Sequence, residues 1–216
     1  MASLFPIAYI KPLATNSTAS KTQSYIGIDE LANNMEVGLH FALSGIKAST
    51  NKMLKISNIT FDGQPLKLKI DTWQRIVYEP SVYNGTGEEE RKNIVLEITP
   101  EIEQALATME DTVRQSLNET ISNIDSIWSS AIKPATIFNG PTLRAKTRVS
   151  GKQHCNWFHA SNTVTDVPLV FKGLQAKTVL HVQGVYIQKQ AAGIILNLTH
   201  MQTRPTQVIE DFESPF

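Results

Sequence analysis

Three cationic side chains alternate along one short stretch of the sequence: Arg144, Lys146 and Arg148, with apolar or small residues between them. In a β-strand, alternate residues point to the same side and lie about 7 Å apart. That spacing roughly matches successive phosphates of an extended single strand, so the pattern predicts a strand that binds a polyanion. Lys152 extends the row beyond a predicted turn at Gly151.

Two aromatic residues, Trp157 and Phe158, follow this basic stretch closely. Proteins that bind single-stranded nucleic acid combine cations, which track the backbone, with aromatic rings, which stack on bases. We therefore expect both rings to lie on the binding surface. The alternative is an amphipathic surface strand whose aromatic neighbours are buried.

A second basic and aromatic set occurs earlier in the chain. Lys67 and Lys69 share one face of a predicted strand, and Trp73, Arg75 and Tyr78 follow. The set predicts a second contribution to the same binding surface, with the aromatic rings stacking on bases. Burial of Trp73 and Tyr78 in the core is the alternative, because aromatic side chains contribute large apolar areas to cores.

The last residues of the sequence mix acidic and aromatic side chains. The residues of this tip are Glu210, Asp211, Phe212, Glu213, Pro215 and Phe216. A ring can anchor in an apolar pocket while acidic neighbours steer the encounter. The tip is thus predicted to bind partner proteins, or to compete for the basic surface. An idle tail is the alternative.

Hydrophobic periodicity predicts the elements that position these residues. Alternation with period two predicts strands, and spacings of three and four predict one long helix. The predicted strands cover 52–60, 66–71, 74–79, 93–98, 143–150, 179–187 and 194–203, and the predicted helix covers about 100–132. A hairpin loop is predicted at 190–193, and a flexible segment at 14–24.

This order of elements favours an α+β domain with a mainly antiparallel sheet. An oligonucleotide-binding (OB) barrel with an inserted long helix is the leading prediction, and a jelly roll is its main rival. The domain would span residues 1–205, and an acidic tail would occupy 206–216.

Charge is distributed unevenly along the 216 residues, although the formal net charge is zero. Residues 88–132 carry 3 basic and 10 acidic groups, a net charge of −7. Residues 133–205 carry 9 basic groups and 1 acidic group, a net charge of +8. The second block favours a polyanionic partner.

Other classes of protein find little support. Cys155 is the one cysteine, which excludes a disulfide framework and a cysteine-rich zinc site. No phosphate-binding loop, dinucleotide-binding motif or nucleophile elbow occurs. We therefore expect no catalytic residues, no cofactor and no metal. No apolar run approaches the roughly 20 residues of a membrane span, and an intracellular, soluble protein is expected.

The tip resembles the acidic, Pro-Phe-ending tip of bacterial single-stranded DNA-binding proteins. The stretch from Thr142 to about Thr203 resembles single-stranded DNA-binding proteins of short-tailed coliphages and of some large DNA viruses. The features that carry this resemblance are the alternating basic strand, Asp166-Val167-Pro168, Gly173, and two long strands around Ala192-Gly193.

The resemblance implies a non-enzymatic protein of DNA replication or recombination, with an OB barrel that binds single-stranded DNA without reading its sequence. It implies that the tip recruits replication proteins such as a polymerase, helicase or primase, or competes with DNA for the groove. It also implies a viral protein in the host cytoplasm or nucleus, and it leaves homo-oligomerisation open. A viral capsid or virion protein with a β-sandwich fold is the alternative.

Overall fold

Strands dominate the chain, and two of them are 14 residues long. The computed structural model describes residues 25–41, 46–48, 54–57, 59–61, 64–82, 91–119, 121–137, 139–149 and 154–206. The elements in chain order are β1 (Ile26–Gly27), α1 (Ile28–Gly38), β2 (Leu39–Phe41), β3 (Ile46–Ala48), β4 (Leu54–Ser57), β5 (Ile59–Phe61), β6 (Gln64–Pro65), β7 (Lys67–Arg75), β8 (Ser81–Val82), β9 (Arg91–Glu97), α2 (Pro100–Asn118), α3 (Ile124–Ile127), β10 (Ile132–Lys133), β11 (Thr142–Arg148), β12 (Asn156–His159), β13 (Val164–Thr165), β14 (Leu174–Ile187) and β15 (Ala192–Pro205).

Five of these strands close into a barrel. Strand β7 pairs antiparallel with β14, β14 pairs antiparallel with β15, β15 runs parallel to β11, and β11 pairs antiparallel with β9. The ring closes where Ile76 bridges Leu96 and the Val77 N–H donates to the Val95 carbonyl at 3.0 Å. In chain order these strands form a five-stranded Greek-key barrel, which is the OB fold.

The expected α+β class with an OB barrel and an inserted helix is therefore confirmed. Helix α2 lies between β9 and β11, the second and third strands of the barrel. A jelly roll requires two sheets packed face to face. The described barrel strands instead pair in one closed ring, so the structure does not match the jelly-roll alternative.

Alternation along the barrel strands separates an inner face from an outer one. Leu68 and Ile70 of β7, and Leu143 and Ala145 of β11, are at most 1% exposed. The cations between them point to the opposite side, because successive side chains of a strand alternate. On both strands, the apolar residues point inward and the cations point outward, as the sequence predicts.

Helix α2 begins as predicted but ends earlier. Pro100 occupies the first turn, and Ile102, Leu106 and Met109 pack into the core. The helix ends at Asn118, so the expected extension to about residue 132 is wrong. The chain instead turns through Asn123, whose φ of 67° is left-handed, and re-enters a helix for four residues.

The sequence predicts one continuous helix because the spacing of apolar residues continues across this break, and Ile124, the first apolar residue after the turn, is fully buried. Trp128 then forms an isolated bridge with Ala192 at the start of β15. Ala192 and Gly193 belong to the strand, so the hairpin loop covers 188–191 rather than 190–193. A Cβ on Gly193 would collide with the Ser129 carbonyl, which explains why a glycine lies at this crossing.

The predicted flexible segment 14–24 and residues 207–216 of the predicted acidic tail lie outside the described residues. No helix within the described ranges is long and apolar enough to span a bilayer.

Candidate nucleic-acid interface

One row of polar side chains crosses four neighbouring strands on the outside of the barrel. The register pairs Lys67 of β7 with His181 of β14, His181 with Asn197 of β15, and Asn197 with Lys146 of β11. Lys67 and Lys146 are thus three strand spacings apart, about 14 Å measured along the curved sheet. The two sets of cations predicted from separate parts of the sequence therefore both point outward from the same curved sheet, and we call its outer side across these four strands the outer face.

Trp73 lies between two cations on this outer face. The Arg204 guanidinium carbon is 4.2 Å from the centroid of the Trp73 ring, and the Lys177 Nζ is 5.3 Å from it. The Arg204 Nε also donates to Gln175 Oε1 at 2.9 Å, which fixes the guanidinium in place. The indole remains partly exposed, so it offers a ring that is already flanked by positive charge.

Asp71 links two lysines of the outer face. Lys69 Nζ and Lys177 Nζ lie 2.8 and 2.9 Å from its carboxylate oxygens. The hydrogen bond from Lys69, and then that from Lys177, lower the pKa of Asp71 below its ordinary value. The carboxylate therefore stays charged and offsets positive charge beside Trp73.

A second aromatic cluster lies nearby, around His200 of β15. Phe158 of β12 stacks on the His200 ring with centroids 6.2 Å apart, and Tyr25 meets it edge-on at 5.9 Å. Lys67 Nζ lies 5.9 Å from the Tyr25 centroid. Burial, and then the positive charge of Lys67, lower the pKa of His200 below its ordinary value. The imidazole is therefore neutral at pH 7.

We call these two clusters together the aromatic half of the outer face. Its members are Tyr25, Lys67, Lys69, Trp73, Phe158, Lys177, His200 and Arg204.

The basic strand β11 adjoins the aromatic half. Arg144 is exposed, and Lys146 and Arg148 are partly exposed on the outer side of the strand. Their register neighbours on β9 are Val95, Asn93 and Arg91. The alternation predicted from the sequence thus places the three cations along one edge of the outer face.

Trp157 lies inside the barrel, contrary to the expectation that it stacks on bases. Its side chain is 3% exposed, and its ring packs edge-on against Phe171 with centroids 5.5 Å apart. In the register Trp157 adjoins the fully buried Met201, whereas Phe158 adjoins the outward Gln202. Neighbouring residues of a strand point to opposite faces, so one of this aromatic pair must point inward.

Arg75 is engaged in a structural ion pair. Its Nε donates to Glu97 at 2.7 Å and its Nη2 donates to Asn139 at 2.7 Å. Glu97 also accepts the Gly140 N–H at 2.7 Å, and the hydrogen bond from Arg75 lowers the pKa of Glu97. Arg75 thus joins β7, β9 and the loop before β11, at the edge of the outer face.

Tyr78 follows the barrel closure and is 57% exposed. Lys152 and the tip residues Glu210, Asp211, Phe212, Glu213, Pro215 and Phe216 lie outside the described residues.

Sequence reasoning missed four members of the aromatic half: Tyr25, Lys177, His200 and Arg204. A signal was present for Lys177, because Gln175, Lys177 and His181 alternate with buried residues along β14. Arg204 carried the same signal, because His200, Gln202 and Arg204 alternate with the buried Met201 and Thr203 along β15. Tyr25 carried no such signal, since it approaches the face through the pairing of β1 with β7.

The arrangement suits binding and offers little for catalysis. Cations and half-exposed rings share one continuous face, which is the combination that holds a phosphate backbone and stacks its bases. Burial raises the pKa of the Cys155 thiol to about 12, so this group is not a nucleophile at neutral pH. Among the described residues, no group of three or more His, Cys, Asp or Glu is placed to hold a metal ion.

Comparison with known proteins gives matches in structure but not in sequence. No protein-family model matches the chain, and no curated protein sequence matches it. The chain is similar to gp2.5, a single-stranded DNA-binding protein encoded by bacteriophage T7, with 12% identity over 65% of this chain and 89% of that one, and a TM-score of 0.45.

It is also similar to the single-stranded DNA-binding protein from bacteriophage Enc34. The complex of that protein with single-stranded DNA matches with 11% identity over 74% of this chain and 90% of that one, and a TM-score of 0.43. A C-terminal truncation matches with 14% identity, the same 74% of this chain, 89% of that one and a TM-score of 0.44. All three TM-scores lie below 0.5, so the assignment of the OB barrel rests on the strand pairing.

Proposed function

We propose that this protein binds single-stranded DNA without reading its sequence, and that it does so on the outer face of the barrel. The observation that carries the proposal is the continuity of that face. Cations from β7, β11, β14 and β15 and partly exposed rings from β7 and β12 lie on one side of one sheet.

Phosphate contacts would supply most of the affinity. Binding of each cation to a phosphate releases a condensed counterion, which makes the affinity depend strongly on salt. Arg144, Lys146 and Arg148 lie at the spacing of an extended strand, and the row from Lys146 to Lys67 leads across the sheet to further cations. The bound strand would therefore follow the three cations along β11 and then cross the sheet along the row from Lys146 to Lys67, toward the aromatic half.

Stacking would hold the bases without selecting among them. Trp73, already flanked by Arg204 and Lys177, is the first candidate platform, and Phe158 with His200 is the second. Every base has a π-face, so stacking tolerates any sequence. In OB folds generally, the second and third strands and the adjoining loops face the oligonucleotide. Here β11, which carries the three cations, is the third of these strands, whereas Trp73 and Phe158 lie on β7 and β12.

The proposal extends to the process in which the protein acts and to its protein partners. A protein that coats single strands would act in DNA replication or recombination, most simply as a phage or viral protein. Residues Glu210 to Phe216 would recruit replication proteins, with the rings as anchors and the acids as steering groups.

The test is a titration of labelled oligo-dT with the full-length protein at several salt concentrations. With three to five phosphates neutralised, the log–log slope of affinity against salt should be about −2 to −4. An oligo-dA of the same length should bind with a similar slope, and duplex DNA should bind more weakly. Affinity that does not change with salt, or tighter binding of the duplex, would overturn the proposal.

A further inference from the structure

An exposed apolar surface lies in the segment that joins β13 to β14. Five large hydrophobic side chains are exposed in the described residues, and two of them, Leu169 and Val170, are adjacent in this segment, whereas a third, Val164, lies in β13. Leu169 is 99% exposed and Val170 is 63% exposed. Scattered single apolar residues are ordinary on surfaces, but adjacent ones in one place indicate a contact site.

The backbone holds this surface firmly in place. The next residue, Phe171, is 1% exposed and packs against Trp157 inside the barrel. The Glu79 carboxylate accepts the N–H groups of Phe171 at 3.0 Å and of Lys172 at 2.6 Å. Leu169 and Val170 therefore form a fixed apolar shelf rather than a frayed loop end.

The C-terminal end of the described chain lies beside this shelf. The Thr206 N–H donates to the Gly173 carbonyl at 2.9 Å. Leu169 is four residues before Gly173, so it lies within about 14 Å of that anchor even if the chain between them is fully extended. Phe212 is six residues after Thr206 and can reach about 20 Å from it.

The chemistry of the following segment complements the shelf. Residues 207–216 contain Ile209, Phe212 and Phe216 among three acidic residues. Lys172, which is exposed, borders the shelf and would face those acids, while the neighbouring Glu79 carboxylate is engaged by the N–H groups of Phe171 and Lys172. An aromatic ring flanked by carboxylates fits an apolar surface with a cation at its edge.

We propose that the apolar shelf, Leu169 and Val170, is the docking site for the chain's own C-terminal segment, residues 207–216, with Phe212 as the anchor. The docked tip would keep its rings out of water and would place its acids beside Lys172. This intramolecular contact is independent of the proposed binding of single-stranded DNA.

The experiment is photo-cross-linking in the full-length protein, with Phe212→p-benzoylphenylalanine. Irradiation followed by peptide mapping should yield an intramolecular cross-link to the segment that carries Leu169 and Val170. The added substitutions Leu169→Ser and Val170→Ser should lower the yield by about tenfold or more, because the apolar contact area is lost. Ile137→Ser is the matched control, since Ile137 is 92% exposed elsewhere on the surface, and it should leave the yield unchanged.

Three other outcomes would overturn the proposal. Cross-links to β7, β11 or β14 would mean that the tip occupies the outer face instead. Cross-linked dimers would mean that the shelf, or the tip, contacts a second copy. No cross-link above the level of the double Ser variant would mean that the tip does not dock on this barrel.

Discussion

The basic strand and the aromatic half of the outer face carry their positive charge in different ways. Strand β11 alternates Arg144, Lys146 and Arg148 and contains no aromatic residue between its ends. In the aromatic half, the cations are arranged around rings and a carboxylate: Arg204 and Lys177 flank Trp73, and Asp71 holds Lys69 and Lys177. We infer from this difference that β11 mainly neutralises phosphate charge and that the aromatic half mainly stacks on bases.

Removal of the three cations of β11 should have the largest effect. Arg144→Ala, Lys146→Ala and Arg148→Ala together should flatten the salt slope by about 2, at roughly 0.7 per lost phosphate contact on a single strand. If the variant and the wild type bind equally at 1 M salt, the same loss implies binding of oligo-dT weaker by about 400-fold near 50 mM salt. Arg114→Ala is the control, because Arg114 lies on α2 and pairs with Asp111 and Asp125. A slope equal to that of the wild type would remove β11 from the interface.

Loss of the indole at Trp73 should weaken binding without changing the salt slope. Trp73→Ala should cost about 1–3 kcal/mol of binding free energy, because stacking is lost while the phosphate contacts remain. Quenching of tryptophan fluorescence by oligo-dT should disappear in Trp73→Phe. These two results would separate stacking from charge neutralisation.

Trp157→Phe is the matched control for Trp73. Its ring lies in the core, and its Nε1 has no hydrogen-bond partner among the residues that the structure describes. The variant should therefore bind oligo-dT normally while losing about 1–3 kcal/mol of unfolding free energy to the cavity. Normal fluorescence quenching in Trp73→Phe, with quenching lost in Trp157→Phe, would reverse the assignment of the two tryptophans.

Asp71 should weaken binding in the wild-type protein. Asp71→Asn removes a carboxylate that two lysines contact, so Lys69 and Lys177 become available to phosphates. Binding should tighten several-fold, and the salt slope should steepen by about 0.7 to 1.4, for one or two added contacts. Asp125→Asn removes the same charge beside α2 and should leave both quantities unchanged. Weaker binding by Asp71→Asn would mean that the carboxylate positions the lysines productively.

The smallest expected effect is a dependence of binding on pH through His200. Burial and Lys67 lower the pKa of this imidazole, so it is neutral at pH 7 and gains a proton only in more acidic solution. A nearby phosphate favours the protonated form, so oligo-dT binding should strengthen by a few-fold between about pH 7.5 and pH 5.5. His200→Gln should lose this increment.

The stability of the free protein should change with pH in the opposite sense. The unfolded chain accepts the His200 proton more readily than the folded one, so unfolding free energy should fall as the pH drops below about 6.5. Unfolding free energies of the wild type and of His200→Gln at the two pH values would check this sign.

The sequence predicts which side of a strand each side chain points to better than it predicts which strands pair. The alternation around Lys67 and Arg144 is local, so the outward position of both cation sets follows from the pleat alone. The barrel closure between Ile76 and Leu96, and the approach of Arg204 to Trp73, join residues far apart in the chain. Neither contact leaves a periodic signal in the sequence.

Two errors have definite physical causes. Trp157 and Phe158 are adjacent and equally aromatic, so only the pairing of Trp157 with Met201 decides which ring points inward. The helix prediction ran past Asn118 because Ile124 continues the apolar spacing across a left-handed turn at Asn123. In both places the local sequence is compatible with the predicted structure and with the observed one. Tertiary packing determines which of the two forms.

The central claim, that single-stranded DNA lies across the outer face, is tested most directly by ultraviolet cross-linking of oligo-dT to the full-length protein followed by peptide mapping. The account predicts cross-links to the peptides that contain Trp73 and Phe158, which disappear when unlabelled oligo-dT is added in excess. Cross-links confined to helix α2 and its surroundings, with none on β7, β11, β12, β14 or β15, would contradict it.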